Sequence, residues 1–239
     1  MKKFYLTACA AILGLGCLTQ ADAQETLLGL TDNNEIVSVQ SNAPNVGVAV
    51  GVTNLDMGED LVGIDFRAGT GEIYAIGRNN SVYTLDAVTF AATKKGNFAD
   101  GMSDDPAGPG ALSGNQFAFD FNPAFTPTGN SNPRGSFARI ISDTRLNRVI
   151  NGNTGEYLGG AKTNVFFDDG VASGTPDVND GNTPNLQGIA YNNSVFGSTS
   201  TTQFGIDINQ DVLVTVANNA GTLETVGSLG IAGTLTNEL

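Results

Sequence analysis

The chain has 239 residues, with 11 Lys+Arg against 24 Asp+Glu, a net charge of −13 and no His. Without His there is no Ser-His-Asp triad, no imidazole general base and no His-ligated zinc or haem. The negative charge argues against a nucleic-acid backbone or an anionic membrane surface as partner, because both demand a positive face.

Residues 1–23 read as a secretory signal peptide. Met1, Lys2 and Lys3 form a basic start, residues 4–16 are apolar apart from Thr7, and Ala21-Asp22-Ala23 fits small-x-small cleavage before Gln24. The apolar stretch is too short for a bilayer core, which needs about 20 residues. Acylation of Cys17 is the weaker alternative, because Leu15 stands where a small residue is usual. Cleavage after Ala23 removes both cysteines, Cys9 and Cys17, and leaves one domain over residues 24–239 with no disulfide. An exported disulfide-free domain of this size relies on an ordinary apolar core.

Residues 27–31 and 35–39 alternate apolar and small or polar side chains, and match the second and third strands of a unit whose first strand is missing. The full unit follows at residues 61–67, 72–77, 81–86 and a last strand ending near Gly96. Each run has period two and is bounded by Gly, Asn or Asp, which predicts four short antiparallel strands. A Gly/Pro loop over residues 96–114 carries Asp100, Asp104 and Asp105. Residues 116–123 repeat the opening strand, followed by a Pro/Gly/Asn loop at 124–135 and strands at 137–143 and 147–151. A third copy of the opening strand lies at 186–191, residues 203–209 mirror the third strand 82–86, and residues 222–231 offer a strand that could fill the missing place. No segment keeps a 3.6-residue apolar period. The expected fold is all-β and β-propeller-like, with about four to five small four-stranded antiparallel sheets and the closure of the ring left open.

These residues also carry a family resemblance. Leu61-Val62-Gly63-Ile64-Asp65-Phe66-Arg67, Gly71-Glu72-Ile73-Tyr74-Ala75-Ile76-Gly77 and Val82-Tyr83-Thr84-Leu85-Asp86 carry it in the first full unit. So do Phe119-Asp120-Phe121-Asn122-Pro123, Ile140-Ile141-Ser142-Asp143-Thr144, Asn192-Asn193, Thr201-Thr202 and Thr225-Val226-Gly227-Ser228-Leu229-Gly230. In this order they resemble the bacterial exported family catalogued as domain of unknown function 4394, over residues 27–231. The resemblance implies a propeller-like fold and no particular activity. Two features depart from it: Arg145 follows Ser-Asp-Thr where relatives have Gly, and the chain stops at Leu239 where relatives continue with a further repeat.

Candidate chemistry rests on carboxylates. Asp65 and Asp120 occupy the same place in the repeated opening strand, where strands line a central channel. They are candidates for an acid/base pair or a cation site. The structural alternative is an Asp that accepts backbone N–H bonds between sheets, and the third copy has Ala190 there. Asp177, Asn179, Asp180 and Asn182, preceded by Asp168 and Asp169, form an oxygen-rich loop suited to Ca²⁺, the one candidate cofactor. The EF-hand register fails there, with Gly181 and Gly188 at two ligand places. Lys94 and Lys95 read as a solvated strand edge. Arg139 and Asp143 share a strand face and predict an ion pair, with Arg139 and Arg148 as an anion-binding pair in the alternative. Beyond Lys162 the chain has no Lys or Arg, so one side is uniformly acidic.

Two functions stay open. The first is a non-catalytic exported module, binding or structural at the cell envelope or outside the cell, in the periplasm or secreted. Its partner would be a protein, a glycan or a second copy met through open sheet edges. The second is a carboxylate- or calcium-dependent hydrolase acting in the channel on a glycan or a lactone-like ester.

Overall fold

Short period-two runs punctuated by Asn, Asp and Gly build small sheets from strands adjacent in sequence. The computed structural model describes residues 25–97, 112–124, 135–158, 163–171 and 173–230. The predicted leader, the loop carrying Asp100, Asp104 and Asp105, Lys162 and residues 231–239 lie outside the described residues.

Sheet 1 contains β1 (Thr26–Leu30), β2 (Glu35–Gln40) and β3 (Ala43–Gly51). Sheet 2 is a four-stranded meander of β4 (Leu61–Arg67), β5 (Glu72–Gly77), β6 (Ser81–Leu85) and β7 (Ala92–Asn97). Sheet 3 has β8 (Phe117–Phe121), β9 (Phe137–Ser142) and β10 (Asn147–Asn151). Sheet 4 runs β12 (Leu186–Tyr191), β13 (Gln203–Asp207), β14 (Val212–Ala217), β15 (Thr222–Ser228), with the two-residue β11 (Phe166–Phe167) added in parallel outside β15. Helical structure among the described residues is one 3-10 turn, Asn218–Ala220, and no helix there is long and apolar enough to cross a membrane.

The sheets stack face to face, and the strand patterns show which are sandwiched. In β5, Ile73 and Ala75 face the core shared with sheet 1, while Tyr74 and Ile76 face the core shared with sheet 3. In β9, Ile140 joins that second core, whereas Ile141 joins a third with Val165, Phe167, Leu186, Val214 and Leu223 of sheet 4. Strands covered on both faces lose the polar alternation of half-exposed strands. The outer sheets keep it: β13 and β14 alternate buried with half-buried positions, and β3 is exposed along its length. Strands β4, β8 and β12 stand side by side as the inner row. They approach closely enough that a Cβ on Gly63 would stand 3.0 Å from Cβ of Phe119.

Each sheet turns from its second strand into its third, or from β1 into β2 in sheet 1, through one residue in the left-handed region. These are Asn34 (φ 57°), Asn80 (φ 65°), Arg145 (φ 71°) and Asp211 (φ 55°). Asn and Asp tolerate this conformation, whereas it is uncommon for Arg, as at Arg145.

The observed architecture corrects the sequence reading in two places. Residues 203–207 form the second strand of their sheet, not the third, because β13 pairs β12 and β14. Residues 222–228 complete sheet 4 by pairing β14, so they do not supply the strand missing from sheet 1. The expected all-β series of small antiparallel sheets is what is observed, four-stranded in sheet 2 and in the β12–β15 part of sheet 4, and among the described residues no strand pairing joins sheet 4 to sheet 1.

Candidate functional site

The inner row brings Asp65 and Asp120 together. Each uses its carboxylate to tie its strand to the next one. Asp65 Oδ2 accepts the N–H of Phe121 at 2.7 Å, and Asp120 Oδ2 accepts the N–H of Tyr191 at 2.5 Å. In repeat register the acceptor stands one place before the donor, so the same bond recurs between sheets 2 and 3 and between sheets 3 and 4. Ala190, the third copy, needs no carboxylate because no further inner strand follows β12 among the described residues.

Burial raises the pKa of both acids. Desolvation dominates at Asp65, opposed by the N–H groups of Phe121 and Phe66. At Asp120 desolvation is again first, and the neighbouring charge of Asp65 pushes in the same direction. The two carboxyls also share a hydrogen bond. Two like charges this close and this dry cannot both ionise easily, so the pair holds a proton above the ordinary carboxylate range.

Beside the pair, a cleft of about 1020 Å³ opens along the inner row. Its floor is apolar, from Val62, Gly63, Ile64, Phe117, Phe119 and Ile189, and Asp32, Asp60 and Arg78 stand at its margin. Arg78 donates to the carbonyls of Gly114 (3.2 Å) and Asn115 (2.9 Å) and lies over the Phe117 ring. The carboxylate pair follows directly after Ile64 and Phe119 in the strands but is not among the residues bordering the cleft.

Two arginines are buried between sheets: Arg67, which the sequence reading did not single out, and Arg139, which it did. Arg67, 1% exposed, lies between sheets 2 and 3. It donates to Gly135 O (2.7 Å), Ser136 Oγ (2.8 Å), Asn153 Oδ1 (2.7 Å) and Tyr74 OH (3.1 Å), against the contacting rings of Tyr74 and Phe121. Arg139, 4% exposed, lies between sheets 3 and 4. It donates to Tyr191 OH (3.1 Å), Asn147 Oδ1, Asn218 O (2.9 Å) and Asn219 Oδ1 (3.2 Å). The expected pair with Asp143 does not form: four residues along a strand is about 13 Å, and Asp143 instead accepts the Asn115 N–H at 3.0 Å. Arg148 points to the opposite face of its strand, so it does not join Arg139. Lys94 and Lys95 are not simply solvated, since they pair with Asp56 and Glu72.

The oxygen-rich loop folds onto β15. Asp177 Oδ2 accepts Thr225 N–H at 2.6 Å, and Oδ1 accepts the Thr225 hydroxyl and Asn179 N–H, both at 2.8 Å. Desolvation opposes ionisation of Asp177, but these three donors outweigh it and hold its pKa below the ordinary value. Asn179 donates to Thr225 Oγ1 (3.0 Å), and Asn182 to Gln210 Oε1 (3.2 Å). The Asp180 N–H caps the Asp177 carbonyl at 3.0 Å. Among the described residues no group of three or more acidic, His or Cys side chains converges as a metal would require.

The model of the domain of unknown function DUF4394 matches residues 35–239. The chain belongs to this family. No curated protein matches it. Solved structures similar to this DUF4394 chain include a structural-genomics protein of unknown function from Bacteroides thetaiotaomicron, at 13% identity and TM-score 0.40 over 83% of this chain and 42% of that one. The calcium-binding protein regucalcin from Agrobacterium tumefaciens gives 13% identity and TM-score 0.39 over 82% and 54%. Apo AztD from Citrobacter koseri gives 10% and 0.37 over 88% and 46%. The chain spans about half the length of these proteins.

Proposed function

We propose that this DUF4394 chain is a non-catalytic exported module that acts by binding, in the periplasm or outside the cell. The observation that carries the reading is the use made of Asp65 and Asp120. Each carboxylate holds the next inner strand through a backbone N–H. Neither carboxylate borders the cleft, where a general base would have to meet substrate or water. Their raised pKa values follow from burial, which the strand ties themselves require.

The contact surface in this reading is the uncovered end of the sheet stack. Sheet 1 exposes Leu27 (49%), Val46 (71%) and Val48 (64%) on strands with no further sheet against them among the described residues. Apolar strands left at an edge favour pairing with another chain. The export arm rests on the sequence of residues 1–23.

Two measurements on the purified protein test this. Light scattering across a concentration series is expected to show association that Val46→Lys together with Val48→Lys abolishes; a monomer at every concentration overturns self-contact as the binding mode. A panel of glycosides, lactones and esters is expected to show no turnover. Turnover that Asp120→Asn removes while the fold persists would establish the hydrolase instead.

A further inference from the structure

The junction between sheets 3 and 4 contains a cavity of about 260 Å³ lined by Asn122, Phe137, Arg139, Val149, Tyr191 and Asn219, among others. We propose that it binds a small organic monocarboxylic acid, with the carboxylate on Arg139 and the apolar body against Phe137, Ala138 and Val149.

Three observations carry this assignment. The first is an uncompensated charge. Among the described residues the ion pairs are Lys94–Asp56 and Lys95–Glu72, so the buried Arg139 guanidinium has no carboxylate partner. Asp120 lies opposite it in strand register, but makes no ion pair with it, and its Oδ2 accepts the Tyr191 N–H. A buried cation held only by neutral acceptors is costly, and an anion that enters recovers much of that cost.

The second is the state of the donors. Both Nη1 hydrogens are used, by Asn147 Oδ1 and Asn218 O, and Nε faces the Tyr191 hydroxyl. Nη2 has one acceptor, Asn219 Oδ1 at the long distance of 3.2 Å. One Nη2 hydrogen is left over beside the Asn219 amide, while the Tyr191 hydroxyl already donates to Asn218 Oδ1 at 3.2 Å.

The third is the contrast with Arg67. That guanidinium is packed against a pair of touching aromatic rings, and the hollow bordering Phe121 and Gly135 measures only about 10 Å³. The same kind of buried cation is thus sealed at one junction and open to a cavity at the next.

The walls fix the ligand class. Sheet 4 supplies no cation at all, since no Lys or Arg follows Lys162, and Arg139 is the only charged residue lining the cavity among those described. A single guanidinium with neutral amides suits one negative charge, not a phosphate dianion. The volume lies just below the usual range for drug-sized ligands, which limits the acid to a few carbons beyond its carboxylate.

Calorimetric titration of the full chain tests this with butanoate and benzoate, their neutral amides, and inorganic phosphate. The expected result is saturable millimolar or tighter binding of at least one of the two acids, with at least tenfold weaker binding of its amide and of phosphate. Asn219→Asp supplies the missing carboxylate at Nη2. It should lose acid binding at least tenfold while melting no lower than the wild type. Arg139→Lys should weaken binding by a similar factor. The proposal is overturned if neither acid binds, if the amides or phosphate bind as well as the acids, or if Asn219→Asp binds unchanged.

Discussion

The junctions on the two sides of sheet 3 use the same two devices and fill them differently. Between sheets 2 and 3, Asp65 ties down Phe121 while Arg67 is buried under Tyr74 and Phe121 with four acceptors around it. Between sheets 3 and 4, Asp120 ties down Tyr191, but Arg139 reaches across to Asn218 and Asn219 beside a cavity. In the first, aromatic area and carbonyls make the cation part of the core. In the second, amides hold it where a ligand or water can reach it. The backbone tie positions the sheets in both places, and what the cation touches decides whether the junction is closed.

The largest effect expected from breaking this comparison comes from the arginines. Arg67→Met should cost about 3 kcal/mol, because several buried acceptors lose their donor at once. Arg139→Met should cost roughly half as much, since water in the cavity can satisfy the abandoned amides. Urea unfolding of both variants measures the ratio, and equal losses would mean the two junctions are equally sealed.

The backbone ties come next. Asp65→Ala and Asp120→Ala should each cost about 2 kcal/mol by leaving a buried N–H without an acceptor. The Asn variants, which keep an acceptor oxygen, should cost less than half of that. The carboxyl pair also sets a pH dependence. The folded-state pKa of Asp120 is raised from 3.8 to about 8 and that of Asp65 to about 6, so the folded protein binds protons more tightly than the unfolded chain between those values. Stability must then fall as pH rises through that window. Melting temperatures from pH 5 to 9 should show the decline, and Asp120→Asn should flatten it.

The smallest expected effect is a gain. Arg145 holds φ 71°, and its carbonyl accepts the Val165 N–H of the sheet 4 side at 3.1 Å. Arg145→Gly should relieve the left-handed strain and stabilise the protein by about 0.5–1 kcal/mol. An unchanged or lower melting temperature would show that the turn carries no strain.

The strands were readable from the sequence because period two and turn residues are local properties. Their places in a sheet were not. Residues 203–207 and 82–86 look alike, and only the neighbours each one pairs decide which is second and which third. Asp65 and Asp120 were recognisable as a repeated pair, and one of the two readings drawn from them was a tie between sheets. Choosing that reading needed the partners, which are backbone groups of a neighbouring sheet and carry no side-chain signature. Arg139 was misassigned for a related reason. Its spacing to Asp143 suggests a shared face, but its real partners lie near residue 219 and become visible only when sheet 4 folds back. The run without cations after Lys162 and the reading of Arg139 as an anion-binding residue were the sequence signals that bear on its site.

The segment leading into β11 is sewn to both of its neighbours. Thr163 N–H bonds to Asn219 O, Val165 N–H to Arg145 O, Phe166 N–H to Gly221 O and Asp168 N–H to Leu223 O. Among the named strands β11 alone pairs out of sequence order, so this seam closes only after β12 to β15 have formed. Hydrogen exchange is therefore expected to show sheets 3 and 4 opening as one cooperative unit, with sheet 1 fraying by itself.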